Sequence, residues 1–133
     1  MNQNIIDLLK KIRVQAQTIK GGFSEVRIRD TALEDKWVSL SMKNPDHQCM
    51  FRKLVDTKTR IVIGLHAPAG SSFYSHICTD ADATYQVASG RLYDAMSGNF
   101  IDMQSPHTFP VNILHEIEVR DESIFTITYT NFR

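Results

Sequence analysis

The sequence has no excess of charge of either sign. Its 133 residues include 15 Lys and Arg and 15 Asp and Glu, so the formal net charge is zero. Proteins that hold nucleic acid through its phosphates carry a basic excess, so we expect no nucleic-acid partner. With 42% hydrophobic and 23% charged residues, the composition is that of a folded globular chain rather than a disordered one. The length suits one domain, and we predict a single domain over residues 1–133.

Long hydrophobic runs and a secretion signal are also missing. No apolar run approaches the ~18 residues that a membrane span needs. The first residues, MNQNIIDLLKKIRV, have no basic region before an apolar core and no small-residue cleavage site. We therefore expect a cytoplasmic protein with no membrane partner. The chain has only two cysteines, and in a reducing compartment both Cys49 and Cys78 are expected to be free thiols.

The common catalytic and nucleotide-binding motifs are absent. The chain has no G-x-G-x-x-G, no Walker loop, no G-x-S-x-G and no C-x-x-C. A thiol hydrolase is disfavoured as well, because nothing marks an acid that would orient a histidine beside Cys78.

The N-terminus has helical periodicity. We predict an amphipathic α-helix within residues 1–22, ended by Gly21-Gly22. Apolar residues recur at three- and four-residue steps, namely Ile5, Leu8, Leu9, Ile12, Ala16 and Ile19. The other face is basic, which also suits a membrane surface or a partner, but packing on the domain itself or on a second subunit is the simpler interpretation.

Residues 23–133 are patterned as short strands separated by turns, at spacings of roughly ten residues. This pattern predicts an antiparallel all-β sandwich or barrel. Two of the turns fall at Ser89-Gly90 and Arg120-Asp121-Glu122. The candidate strands are Phe23–Ile28, Trp37–Met42, Cys49–Val55, Arg60–His66, Tyr74–Cys78, Ala83–Ala88, Arg91–Ala95, Asn99–Met103, Leu114–Arg120 and Ile124–Thr130.

Two of these strands carry residues that could do chemistry. Side chains alternate along a strand, so Tyr74, His76 and Cys78 are expected on one face. Around residue 115 the charged side chains alternate with apolar ones, which predicts that His115 faces the interior with Ile117. A histidine on an apolar face needs a hydrogen-bond partner, a metal or a ligand. Cys49, in contrast, is interpreted as a buried strand thiol.

From about Trp37 to Thr130 the sequence resembles the cupin superfamily. The first cupin motif is a glycine, five residues and His-x-His, followed later by a glycine. Gly70, His76, Cys78 and Gly90 stand at that spacing.

The second cupin motif is a proline, a glycine two residues later and a histidine three after that. Pro110, Asn112 and His115 occupy those steps. The stretch between the motifs, Gly90-Arg-Leu-Tyr-Asp94-Ala-Met-Ser-Gly98-Asn-Phe100, is similar to the corresponding link in the small cupin domains of ChrR-type anti-sigma factors.

The chain also departs from the cupin pattern. Cys78 replaces the second motif histidine, Asn112 replaces a glycine, and the glutamate position is Ala83. Asp82 would replace that glutamate only after a one-residue shift, which puts it on the wrong face unless the strand bulges. By its alternation with Ala83, Tyr85 would enter the pocket, where it could fill the space that the glutamate leaves. The alternative, which we favour, is a packed aromatic ring with its hydroxyl at the rim.

The resemblance implies an all-β cupin-like antiparallel barrel, the double-stranded β-helix or jelly roll, over residues 23–133. The predicted helix would precede it, and the chain would form a homodimer. The implied pocket lining is Tyr74, His76, Cys78, Tyr85 and His115. The interpretation we favour is a barrel that binds a small molecule, with a metal optional.

The alternative is a metal-dependent enzyme, a dioxygenase or lyase acting on a small organic acid or a diketone. In that case His76, Cys78 and His115 would hold one divalent metal: Zn by their donor chemistry, or Fe, Ni or Mn. The other reading of the same three residues is a site that binds no metal. The catalytic residues of such an enzyme are not assigned.

Overall fold

The computed structural model describes residues 28–30, 35–40, 49–73 and 77–133. The predicted helix within residues 1–22 lies outside the described residues, and so does the predicted strand Phe23–Ile28 apart from its last residue. Ile28 belongs to a short 3₁₀ turn, Ile28–Asp30, rather than to a strand. The described part of the chain contains no helix with the length and apolarity that crossing a bilayer requires.

Seven strands form one antiparallel sheet. They are β1 Val38–Leu40, β2 Cys49–Asp56, β3 Ile61–Ala67, β4 Asp82–Asp94, β5 Asn99–Ile101, β6 His107–Phe109 and β7 Ile117–Thr130. The strand order is β1-β2-β3-β7-β4-β5, and β6 pairs with β4 beside this path. The prediction of an antiparallel all-β fold is therefore confirmed for the described residues.

The two longest strands correct the sequence prediction. Each of β4 and β7 was expected as two strands joined by a turn, yet each is continuous and the two pair along their length. Their register shifts around Gly90, so the turn signals mark bulges at which both strands bend. Gly90 has φ 96°, and a Cβ there would lie 2.3 Å from Oγ of Ser123. Only glycine satisfies both conditions.

The described ends of two predicted strands differ from the prediction. The described end of the predicted strand Tyr74–Cys78, namely Ile77 and Cys78, lies outside any strand. The predicted strand Leu114–Arg120 begins only at Ile117, because the preceding residues belong to the loop after β6. The alternation argument that placed Cys78 on the same face as Tyr74 and His76 therefore does not apply to Cys78.

The core lies on one face of the sheet, in rows of side chains that cross the strands. Residues directly opposite each other in paired strands point to the same face. The pairing gives three rows running from β6 or β4 towards β2: His107, Tyr85, Ile127 and Ile63; Phe109, Ala83, Tyr129 and Ile61; and Val87, Phe125, Leu65 and Phe51. All of these except the first, His107, are buried. The site described below sits at the β6 end of these rows.

Candidate functional site

Tyr85 points into the core from the middle of β4. Ala83, Tyr85 and Val87 are all buried, which confirms the predicted face. The Tyr85 ring meets Phe109 edge to face at 5.5 Å and lies nearly parallel to Phe125 at 6.3 Å. These distances are typical of favourable aromatic pairs.

His115 reaches the same place from the loop after β6. It is buried together with Ile117 and Val119, which confirms the predicted inward face. Its ring is stacked on Phe109 at 4.3 Å with an interplanar angle of 15°, and it meets Tyr85 at 5.7 Å. Nδ1 lies 3.1 Å from the Ile113 carbonyl. Because a carbonyl only accepts hydrogen bonds, Nδ1 carries the proton, and in the neutral ring Nε2 is the acceptor.

The loop that carries His115 is held by backbone contacts. The N–H of Asn112 donates to the Cys78 carbonyl at 2.9 Å, so the two regions that resemble cupin motifs lie side by side. The N–H of Ile113 donates to the Pro110 carbonyl at 3.2 Å. Asn112 has φ 68°, a conformation that asparagine adopts more readily than most residues.

Four rings thus form one buried group, Tyr85, Phe109, His115 and Phe125, which we call the aromatic cluster. It combines flat apolar faces with a phenol and an imidazole, the combination that small organic ligands meet in protein pockets. Sequence reasoning identified Tyr85 and His115 but missed Phe109. The signal for Phe109 was its alternation with His107 directly before Pro110.

Cys78 lies beside Asp80. Its Sγ is buried and donates to Oδ1 of Asp80 at 3.3 Å. The Asp80 carboxylate also accepts the backbone N–H groups of Ile28 and Arg29, each at 3.1 Å. Cys78, Asp80, Ile28 and Arg29 form what we call the acid anchor. It fixes the start of the described chain to the barrel across about fifty residues of sequence.

Asp82 is also occupied with structural contacts. Its carboxylate accepts the N–H of Val111 at 2.9 Å and Nδ2 of Asn131 at 2.8 Å. These hydrogen bonds, first that of Asn131, hold the pKa of Asp82 below its usual value near 3.8. The alternation argument predicted that Asp82 and Ala83 lie on opposite faces of the strand, and Asp82 indeed lies outside the buried face of Ala83. It therefore does not stand in for the cupin glutamate.

The described residues do not assemble a metal site. Within residues 28–30, 35–40, 49–73 and 77–133, no three His, Cys, Asp or Glu side chains converge in a way that could hold a metal ion. Ala83 offers no donor atom at the glutamate position, and the Cys78 thiol donates a hydrogen bond to Asp80. The full cupin ligand set therefore does not fit the described residues. Tyr74 and His76 lie outside them, so the trio with His76 stays a prediction.

A scan of protein-family models finds no match to this sequence, and a search of curated proteins finds none either. Solved structures do match. An acetylacetone dioxygenase from Acinetobacter johnsonii superposes with a TM-score of 0.56 at 23% identity, covering 64% of this chain and 61% of that enzyme. The KdgF protein of a Halomonas species gives a TM-score of 0.60 at 13% identity, over 74% of this chain and 89% of that protein.

A chain in the complex of Rhodobacter sphaeroides SigE with the anti-sigma ChrR gives a TM-score of 0.57 at 14% identity. That match covers 72% of this chain and 48% of the other. The chain has the cupin fold. The all-β cupin fold that the resemblance implies is confirmed for the described residues, whereas the helix expected to precede it lies outside them.

Backbone conformation supports the alignment of the cupin motifs. Every position at which the motifs call for glycine has a positive φ here: Gly70 at 87°, Gly90 at 96° and Asn112 at 68°. The cupin fold thus explains why Asn112, and not a branched residue, replaces the motif glycine.

Proposed function

We propose that this cupin domain binds a small organic molecule against the aromatic cluster inside the barrel. The observation that supports it is the stacking of the buried His115 imidazole on Phe109 beside the Tyr85 ring. A buried imidazole and a buried phenol among apolar rings can orient a ligand through hydrogen bonds while the rings hold its apolar part.

The ligand class follows from the lining. Stacked rings favour a flat or short apolar group, and the imidazole and phenol favour an oxygen that accepts or donates a hydrogen bond. Small carboxylic acids and 1,3-diketones have both parts. Acetylacetone is a rational first probe, because a dioxygenase with this fold is named for it.

Binding is a better-supported function than catalysis. The cupin glutamate is replaced by Ala83, which is buried on the core face, so one ligand of the four-residue metal set has no donor atom. In addition, the Cys78 thiol is held by Asp80 within the acid anchor. Binding against the aromatic cluster, as proposed, does not depend on either residue.

A thermal-shift screen of short carboxylates and 1,3-diketones tests the proposal. A ligand that binds the folded state increases the free energy of unfolding, and Tm rises with it. The increase is about 2.7 kcal/mol when the ligand concentration is a hundred times Kd. We expect a hit with the wild type that is lost in His115→Phe, which keeps a ring against Phe109 but removes both ring nitrogens. His66→Phe is the matched control, because His66 is an exposed histidine that pairs with Glu122 at 2.8 Å. No hit, or equal loss in both variants, would contradict the proposal.

The metal-dependent enzyme is the second candidate. Its support is the position of His115 at the second cupin motif and the fold shared with the acetylacetone dioxygenase. His76, Cys78 and His115 would hold the metal, which would supply Lewis-acid or oxygen chemistry. Elemental analysis after loading with Zn, Fe, Mn or Ni tests it: about one metal per chain that is lost in His76→Ala supports this candidate, and no metal rejects it.

A further inference from the structure

We propose that His107, which lies outside both cupin motifs, is a second ligand-contacting imidazole and selects ligands that carry an oxygen at one end. This inference rests on the proposed function, because it assigns the polar end of the ligand that binds the aromatic cluster. The experiment below distinguishes a failure of this inference from a failure of the proposed function.

The strand pairing places His107 on the face of the sheet that carries the aromatic cluster. His107 begins β6, and its Cα partner in β4 is Tyr85. Directly paired residues point to the same face, so the imidazole lies on the side of the buried Tyr85 ring. The ring contact agrees with the pairing, because the His107 and Phe109 ring centroids are 4.5 Å apart at an angle of 61°.

Phe109 therefore contacts two imidazoles. His115 is stacked on it at 4.3 Å and His107 meets it at 4.5 Å. The two differ in burial, since His115 is 1% exposed whereas His107 is half-buried. The pair thus extends from the interior of the aromatic cluster to the surface.

Polarity along the row that contains His107 shows the direction in which a ligand would lie. The row changes from an imidazole at β6 to a phenol at Tyr85 and then to the aliphatic Ile127 and Ile63. In the described sheet β6 pairs with β4 on one side, so this polar end is at an edge. A ligand with an oxygen at one end and carbon at the other matches this gradient when its oxygen lies at His107.

The other half-exposed histidine of the described residues behaves differently. His66 on β3 is paired with Ile124 of β7, which is exposed, and its Nε2 is 2.8 Å from the Glu122 carboxylate. It lies on the outer face, away from the rings. Two histidines that are not fully buried thus lie on opposite faces of the sheet and provide a comparison within one chain.

The test compares affinities for paired probes by calorimetric titration. The first pair is 2-pentanone and 2-methyl-1-pentene, which has a methylene group in place of the carbonyl oxygen. The second pair is phenol and toluene, which has a methyl group in place of the hydroxyl. The proteins are the wild type, His107→Phe, His107→Gln and the control His66→Phe. One hydrogen bond to a ligand oxygen is worth about tenfold in affinity.

We expect the wild type and His66→Phe to prefer the oxygen-rich member of a pair by about tenfold. His107→Phe should abolish that preference while leaving the affinity for 2-methyl-1-pentene and toluene unchanged, and His107→Gln, which keeps an N–H donor, should retain part of it. Equal losses for both members of each pair, or no change in the ratio, would overturn the inference and leave the proposed function intact. If no probe binds the wild type, the proposed function fails and this inference fails with it.

Discussion

Two buried polar regions of this barrel differ in what holds them. In the acid anchor, the Asp80 carboxylate accepts hydrogen bonds from two distant backbone N–H groups and from the Cys78 thiol. In the aromatic cluster, Tyr85 and His115 are surrounded by rings at 4.3 to 5.7 Å. Charge-assisted hydrogen bonds hold the groups that they join in one geometry. Ring contacts are less directional, so an aromatic cluster can also pack against a flat group of a ligand.

The difference separates two kinds of buried polar residue. A carboxylate whose oxygens are taken up by the chain's own backbone maintains the fold. Under the proposed function, a phenol and an imidazole on a face of rings, close to a sheet edge, would contact the ligand. Substitutions in the acid anchor should therefore change stability more than binding, and substitutions in the aromatic cluster should do the reverse.

Asp80→Ala is expected to have the largest effect. It leaves the buried N–H of Ile28 without its carboxylate partner and removes a charge-assisted hydrogen bond to Arg29, so the free energy of unfolding should fall by about 3 kcal/mol. Urea denaturation measures it. Asp102→Ala is the control, because the Asp102 carboxylate accepts an exposed local hydrogen bond from the N–H of Gln104, and its loss should cost less than about 1 kcal/mol. Equal costs for the two variants would contradict the anchor.

Phe109→Leu should lower the free energy of unfolding less than Asp80→Ala does, and it should weaken ligand binding more. The substitution keeps an apolar side chain of lower volume, so the expected cost is about 1 kcal/mol. The stacking with His115 and the contact with His107 are lost, and ligands found in the thermal-shift screen should bind at least several-fold more weakly. A variant that binds as tightly as the wild type would show that the cluster is only core.

Asp82 should make stability depend on acid pH. Its folded pKa is lowered below 3.8, so its contribution is complete above the unfolded value and is lost as the pH falls through the folded value. Unfolding free energies measured from pH 6 down to pH 2 should fall more steeply for the wild type than for Asp82→Asn. Parallel curves would show that Asp82 adds nothing to acid sensitivity.

The smallest effect on stability is expected from the two thiols, but their rates of alkylation should differ clearly. Burial raises the pKa of Cys49 to about 12, so its contribution to stability is complete below the unfolded value near 8.5 and is lost only as the pH rises towards 12. At pH 8 the Cys49 thiol should resist iodoacetamide in the wild type and in Asp80→Ala. Cys78 should be labelled several-fold faster in Asp80→Ala, as read by mass spectrometry. Unchanged labelling of Cys78 would argue against its contact with Asp80.

Much of the fold could be predicted because its signals are local. Alternation correctly placed Tyr85 of β4 inside, and it did the same for His115, which precedes β7. The errors at Ser89-Gly90 and at residues 120–122 also have a local cause. A bulge requires the same glycine and polar residues as a turn, so the sequence alone does not distinguish the two.

The site was less predictable because its contacts are distant in sequence. The anchoring of Ile28 by Asp80 spans 52 residues, and no spacing rule indicates it. Cys78 was grouped with Tyr74 and His76 by alternation along a predicted strand, but Cys78 itself lies outside any strand. The homodimer, the cytoplasmic location and the roles of Tyr74 and His76 stay predictions.

The most direct test of the central claim is an NMR titration of the uniformly labelled protein with acetylacetone and with butyrate, observing the side-chain signals of Tyr85, Phe109, His115 and Phe125. We predict saturable shifts concentrated on these four rings and on His107, with the rings of the exposed Trp37 and Phe100 unchanged. Ring signals that do not move, or shifts confined to the surface groove that Ser72, Glu118 and Arg120 line, would contradict binding at the aromatic cluster.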